Sequence, residues 1–216
     1  MNVHLRHPPH LFQEKEILEL FHSDDNEFDT LIDAVKDLQP SIKTIKKKKS
    51  KAELFDISKI YGIDCEMVGV REGDGVRDVL AKVSVVTRDD VLLDTFVRAD
   101  EVVTEYRTEV SGVTKEDLEG PQARDFKSVV SEVENILSNA EIIVGHGLSH
   151  DEEVLQIEFP SWKVRDTSKY RPFSQGGRTP ALKRLALKHL GKTIQKGQHN
   201  PVEDARAALL LYLKVP

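Results

Sequence analysis

Residues 60–68 read IYGIDCEMV, and the fold and the chemistry both turn on them. The β-branched and apolar residues predict a strand, yet Asp64 and Glu66 stand inside it. Strand side chains alternate between faces, so positions 64 and 66 project one way and Cys65 the other. Cys65 is therefore read as a buried thiol on the back of the strand. Two carboxylates side by side raise each other's pKa unless a cation neutralises them. Carboxylate oxygens are the ligands that hard divalent ions such as magnesium and manganese prefer. Taken alone, D-x-E equally suits an exposed acid pair on an edge strand.

Working outward, residues 79–87 (VLAKVSVVT) and 91–97 (VLLDTFV) predict two more strands, with Arg88-Asp89-Asp90 as a hairpin link. Residues 114–119 predict a short capped helix. Residues 125–137 predict a longer one, with Phe126, Val129, Val130, Val133, Ile136 and Leu137 on one face. A short apolar strand at 142–145 precedes a helix at 149–156, a fifth strand at 162–166 and helices at 180–190 and 201–214. This order predicts an α/β fold: a five-stranded mixed sheet, three antiparallel strands then two parallel ones, with helices on both faces. Upstream, 11–21 and 27–38 show helical spacing, and Pro40 ends the second. The chain thus divides into a helical extension (1–42), a lysine-rich linker (43–54) and a main domain (55–216). Two short helices bury little by themselves, so they dock on the main domain or on a protein partner.

No apolar run approaches the roughly 18 residues that a membrane helix needs. Residues 1–10 hold three histidines and two prolines, which is not the pattern of a secretory signal. A single cysteine excludes an internal disulfide framework and a four-cysteine zinc site. The expectation is a soluble intracellular protein with no membrane partner. The net charge of -6 argues against a nucleic-acid partner only as a total. Residues 52–162 carry 25 acids against ten bases, whereas 163–196 carry ten bases and only Asp166 as an acid. An acidic region followed by a basic one suits a site that binds cations on one wall and polyanions on the other; two differently charged solvated surfaces would read the same.

Two further acids are out of place. Asp151 follows the apolar strand and shares a helix face with Val154 and Leu155. Asp204 lines up with Ala207, Ala208 and Leu211 on the apolar face of the last helix, where an acid needs a partner. Asn200 and Pro201 start that helix, and His199 stands just before it, on a loop that can swing. Each acid has a bland reading on its own. Together they give four acids from three segments, the layout of a two-metal phosphodiester hydrolase, in which ions roughly 4 Å apart hold the attacking and leaving oxygens. His199 would be the general base on the attacking water.

The stretches YGIDCEMVG (61–69), EYRTEVSGVT (105–114), IVGHGLSHD (143–151), VRDTSKY (164–170) and HNPVEDARAAL (199–209) resemble the DEDDh 3′→5′ exonucleases, most closely the RNA exonuclease 4 and interferon-stimulated exonuclease group. The resemblance covers about residues 57–216. It implies a ribonuclease H-like fold. Asp64, Glu66, Asp151 and Asp204 would hold two divalent cations, Mg2+ or Mn2+, with His199 as base. Met67 would pack on the terminal nucleotide, Arg107 would contact the terminal ribose and favour RNA, and His146 would lie on the substrate side. The 2′-hydroxyl is the physical handle for such a preference. The implied activity is trimming of single-stranded RNA, ribosomal or other nuclear RNA, to 5′-nucleoside monophosphates. Residues 71–77 depart from the pattern as extra length that would alter substrate entry. Two other readings stay open: a DNA-directed exonuclease acting in repair or fragmentation, and a ribosome-biogenesis factor that acts mainly by binding. The lysines at 46–51 read as an address to the nucleus or nucleolus, as an RNA-binding arm, or as a solvated linker.

Overall fold

The computed structural model describes residues 55–174, 178 and 180–215. The helices and linker expected within 1–54 lie outside the described residues. β1 (Ile60–Glu72) runs on past Val68 and turns through Gly73 and Asp74 into β2 (Gly75–Val86). Gly73, at φ 58°, takes the positive-φ first position of a tight hairpin turn. The extra length at 71–77 is therefore the tip of a long β1–β2 hairpin. β3 (Val91–Phe96), β4 (Val103–Glu105), β5 (Ile142–Gly145) and β6 (Val164–Asp166) complete the sheet.

Its order is β3-β2-β1-β5-β6, with β1, β2 and β3 antiparallel and β5 and β6 parallel to β1. β4 adds a short sixth strand, paired with β1 beside this path. Three residues are too few to show an alternation, so β4 leaves no mark in the sequence pattern. The helices are α1 (Thr108–Ser111), α2 (Lys115–Glu119), α3 (Phe126–Ser138), α4 (Leu148–Leu155), α5 (Leu182–Leu185) and α6 (Pro201–Lys214). Thr114 and Asp117 close α2 with a capping box, and Asp125 and Asn200 cap α3 and α6. The helix expected at 180–190 is instead α5 followed by a π-turn, Ala186–Leu190. Over so few residues, apolar spacing does not separate the two windings.

The core lies on both faces of the sheet. Ile63, Cys65, Val83 and Val85 pack against Val129, Val133 and Leu137 of α3 and Val154 and Leu155 of α4. On the other face Ile60, Ile142 and Val144 meet Leu182 and Leu185 of α5 and Ala207, Ala208 and Leu211 of α6. Gly62 decides how near α6 can come, because a Cβ there would lie 2.6 Å from the Ala205 carbonyl oxygen. Among the described residues no helix is long and apolar enough to cross a membrane.

Candidate active site

β1 outruns its parallel neighbour. β5 pairs only with Ile60, Tyr61 and Gly62, and β4 rejoins that edge only at Gly69 and Val70. The stretch carrying Asp64 and Glu66 is thus paired on the β2 side alone. Into this gap α4 brings Asp151, and α6 brings Asp204. A bulge follows Glu66, which faces Lys82 in register while Met67 faces Leu80. Bulges of this kind re-aim side chains next to active sites.

Burial raises the carboxyls of all four acids. Burial, then the charges of Asp151, Asp204 and Glu66, push the Asp64 carboxyl well above its ordinary range. Glu66, 7 % exposed, is raised to about 8 by burial and by Asp204, with Lys82 pulling the other way. Lys82 is itself held 3.1 Å from Asp94 Oδ1. Asp151 is raised to about 7, chiefly by burial, while hydrogen bonding to Cys65 resists the shift. Cys65 is thus buried in the core as expected, yet it borders the site, because Asp151 approaches from that face. Burial likewise raises Asp204, against a hydrogen bond from Gln195 and the charge of His199.

Asp204 is aimed with care. Its Oδ2 accepts a hydrogen bond of 2.8 Å from Gln195 Nε2 and stands 3.8 Å from His199 Nδ1. Its Oδ1 is buried without a hydrogen-bond partner among the described residues. Donor atoms of Glu66, His199 and Asp204 lie within 4.8 Å of one another. The loop of His199 is tied down, since its backbone N–H donates to the carbonyl of Val110, in α1, at 2.7 Å. Hard oxygen donors, mutual repulsion and an orphaned buried carboxylate oxygen are what a divalent cation would satisfy, so the residues fit such an ion.

Two supports were not among the expected site residues. Gln195, in a left-handed conformation at φ 55°, also donates its backbone N–H to Glu203 Oε2 at 3.1 Å. Asp166 Oδ1 accepts from the N–H groups of Gly147 (2.8 Å) and Ser168 (2.9 Å), and so fixes the turn that starts α4. A glutamine near the end of a basic stretch and an aspartate ending a strand show their roles only once their partners are seen.

The remaining expected residues make contacts of their own. Met67 is half-buried and packs on the core shared with α3 and α4. His146 Nδ1 lies 3.0 Å from Thr167 Oγ1, whose hydroxyl donates to the Gly145 carbonyl. Burial lowers the His146 pKa, against the charge of Asp166, and so favours the neutral ring. Arg107 is bound to Asp78 (2.8 Å) and Glu105 (3.0 Å) at the β1–β4 edge.

The family model described as Exonuclease matches residues 61–212, a span that holds all four acids and His199. The chain belongs to the Exonuclease family. Proteins named RNA exonuclease 4 are similar: 43% identity with that of Gibberella zeae over 75% of this chain and 50% of the relative. The Candida glabrata protein is 42% identical over 76% and 62%, and the Mus musculus protein 40% over 80% and 40%. The chain therefore spans about half the length of these relatives. Among solved structures, the Saccharomyces cerevisiae Pan2 pseudoubiquitin hydrolase–RNA exonuclease module in complex with A7 RNA superposes at a TM-score of 0.63 with 30% identity, over 72% of this chain and 28% of that one. The Neurospora crassa Pan2 catalytic unit gives 0.62 and 29%, over 81% and 29%. Exonuclease-family membership implies the use of divalent metal, in agreement with the donor set.

Proposed function

We propose that the chain is a 3′→5′ exonuclease that trims single-stranded RNA and releases 5′-nucleoside monophosphates. The observation that carries this reading is the convergence of Asp64, Glu66, Asp151 and Asp204 from β1, α4 and α6, with His199 beside Asp204. The names of the relatives and the RNA held by the Pan2 module support RNA as the substrate. Asp64, Glu66, Asp151 and Asp204 would hold two divalent cations, Mg2+ or Mn2+, which when bound supply charge neutralisation at the scissile phosphate and a more acidic attacking water. His199, held next to Asp204, takes the proton from that water as it attacks phosphorus. The phosphorus–O3′ bond breaks, the terminal nucleotide leaves as its 5′-monophosphate, and the 3′-oxygen of the shortened strand takes up a proton from solvent water. Met67 and His146 flank the terminal nucleotide, and Arg107 reaches its ribose once released from Asp78 or Glu105. The basic stretch at 163–196 follows the upstream phosphates without reading sequence.

The test is an assay of 5′-labelled RNA and DNA strands of identical sequence with Mg2+ or Mn2+. A descending ladder on RNA, weaker on DNA, is expected; equal or better cleavage of DNA would move the assignment to the DNA-directed enzyme. Asp64→Ala should abolish the ladder, and retention of most activity would sink the reading. The lysines at 46–51 support a nuclear or nucleolar address, which a reporter fused to residues 1–54 would lose on their replacement by alanine.

A further inference from the structure

Asp64 and Glu66 each face a hydrogen-bond donor across the β1–β2 ladder: Ser84 stands opposite Asp64 in register, and Lys82 opposite Glu66. Opposed residues of an antiparallel pair share a face, with Cβ atoms about 4.5–5.5 Å apart. Both donors therefore begin within side-chain reach of the acids, and both are engaged on the far side. The Ser84 hydroxyl, fully buried, donates to Asp94 Oδ1 at 2.6 Å. Lys82 Nζ stands 3.1 Å from that same oxygen.

Asp94 lies on β3, opposite Ser84 in register and one strand further from the acids. Phe96, the β3 partner of Lys82, steadies the ammonium as well, with its ring centroid 5.0 Å from Nζ. The lysine side chain is only 17 % exposed, so little water competes for its charge, and that charge reaches Glu66. A carboxylate oxygen that accepts from an ammonium or a hydroxyl has fewer lone pairs left for a metal. An ammonium on a flexible four-carbon stem moves to the acceptor it can reach. Without Asp94, the acid directly opposite Lys82 is Glu66.

We propose that Asp94 is a positioning residue for the metal site: by retaining Lys82 and Ser84 on its Oδ1, it keeps the oxygens of Glu66 and Asp64 free for a divalent cation. The proposal rests on the reading of Asp64 and Glu66 as metal ligands. Asp94 touches neither the ion nor the RNA and acts through Lys82 above all. Loss of the Asp94 charge sends the ammonium to Glu66, where it competes with the cation.

The test is calorimetric titration of Mn2+ into the full chain without RNA, for wild type, Asp94→Asn, Lys82→Met and the double variant, with circular dichroism to confirm folding. Asp94→Asn keeps the shape of the side chain and should weaken Mn2+ binding about 10- to 100-fold. Lys82→Met removes a positive charge beside the ion and should tighten binding about three- to tenfold. The double variant should recover most of the loss seen with Asp94→Asn, because no ammonium remains to be retained. A merely structural role would weaken binding in all three variants and most of all in the double one, and that pattern would overturn the proposal. Wild-type affinity in Asp94→Asn would overturn it too. Should Asp94→Asn not fold, Lys82→Met decides alone, and unchanged or weaker binding there counts against the proposal. A wild type that binds Mn2+ in this pattern yet cleaves no RNA would fail the exonuclease reading and keep the role of Asp94.

Discussion

Asp204 has one oxygen committed to Gln195 and the other buried and unpaired among the described residues, so the amide decides which way that second oxygen faces. Gln195 is a positioning residue, and second-layer partners of this kind are worth roughly 10- to 100-fold in metal affinity or activity. Gln195→Ala should therefore raise the Mg2+ or Mn2+ concentration needed for half-maximal activity by about that factor, with the RNA KM unchanged. A metal titration that superposes on wild type would refute the role. His199→Ala removes the proton acceptor and should slow turnover by about 10²–10⁴-fold, while RNA binding measured by fluorescence anisotropy persists. The acids themselves were legible in the sequence, because a charge inside an apolar periodic segment is conspicuous. Gln195 was not, because an uncharged amide stands out only beside its partner.

Between elements, the decisive contact is the approach of α6 to β1 over Gly62. The atom that a Cβ would meet is the backbone carbonyl of Ala205, and backbone cannot rotate aside. Gly62→Ala should destabilise the fold by about 1–3 kcal/mol through overpacking. Because α6 carries Asp204, it should also cost activity beyond what stability explains. Urea denaturation and assays at a temperature where the variant is fully folded would measure the two effects separately. Full activity in the folded variant would show that the helix position is not critical. The long elements were readable from their periodicity: α6 starts and ends where expected, and α3 and α4 within a residue of expectation. β4, α1 and the π-turn were not, since each is shorter than the window that periodicity needs.

For the whole molecule, the four acids make a pH-dependent strain. Glu66 is raised to about 8 and Asp151 to about 7, with Asp64 and Asp204 raised as well, against unfolded carboxyls that ionise near 4. Between those limits the metal-free folded chain binds more protons than the unfolded one. Its stability therefore falls as pH rises from about 5 to about 8. Divalent cations should reverse this, most strongly at the alkaline end, where the carboxylates are ionised and free to ligate. Thermal melts in chelator should show Tm dropping across the window and recovering at pH 8.5 with Mg2+ or Mn2+. Asp64→Ala should flatten the profile, and a flat wild-type profile would contradict the clustering.

The sequence alone determined the α/β strand order, the paired acids of β1, and the acid on the apolar face of each of α4 and α6, because these are local patterns of period two and 3.6. It also marked the basic stretch that the net charge hides. Only the tertiary structure decided that β5 stops short of Asp64 and leaves the gap in which the acids meet. It alone set the bulge after Glu66, the grip of Gln195 on Asp204, the tether of His199 to Val110 and the binding of Arg107 to Asp78 and Glu105. Most of these are distances between segments far apart in the chain, and no local periodicity encodes a through-space distance.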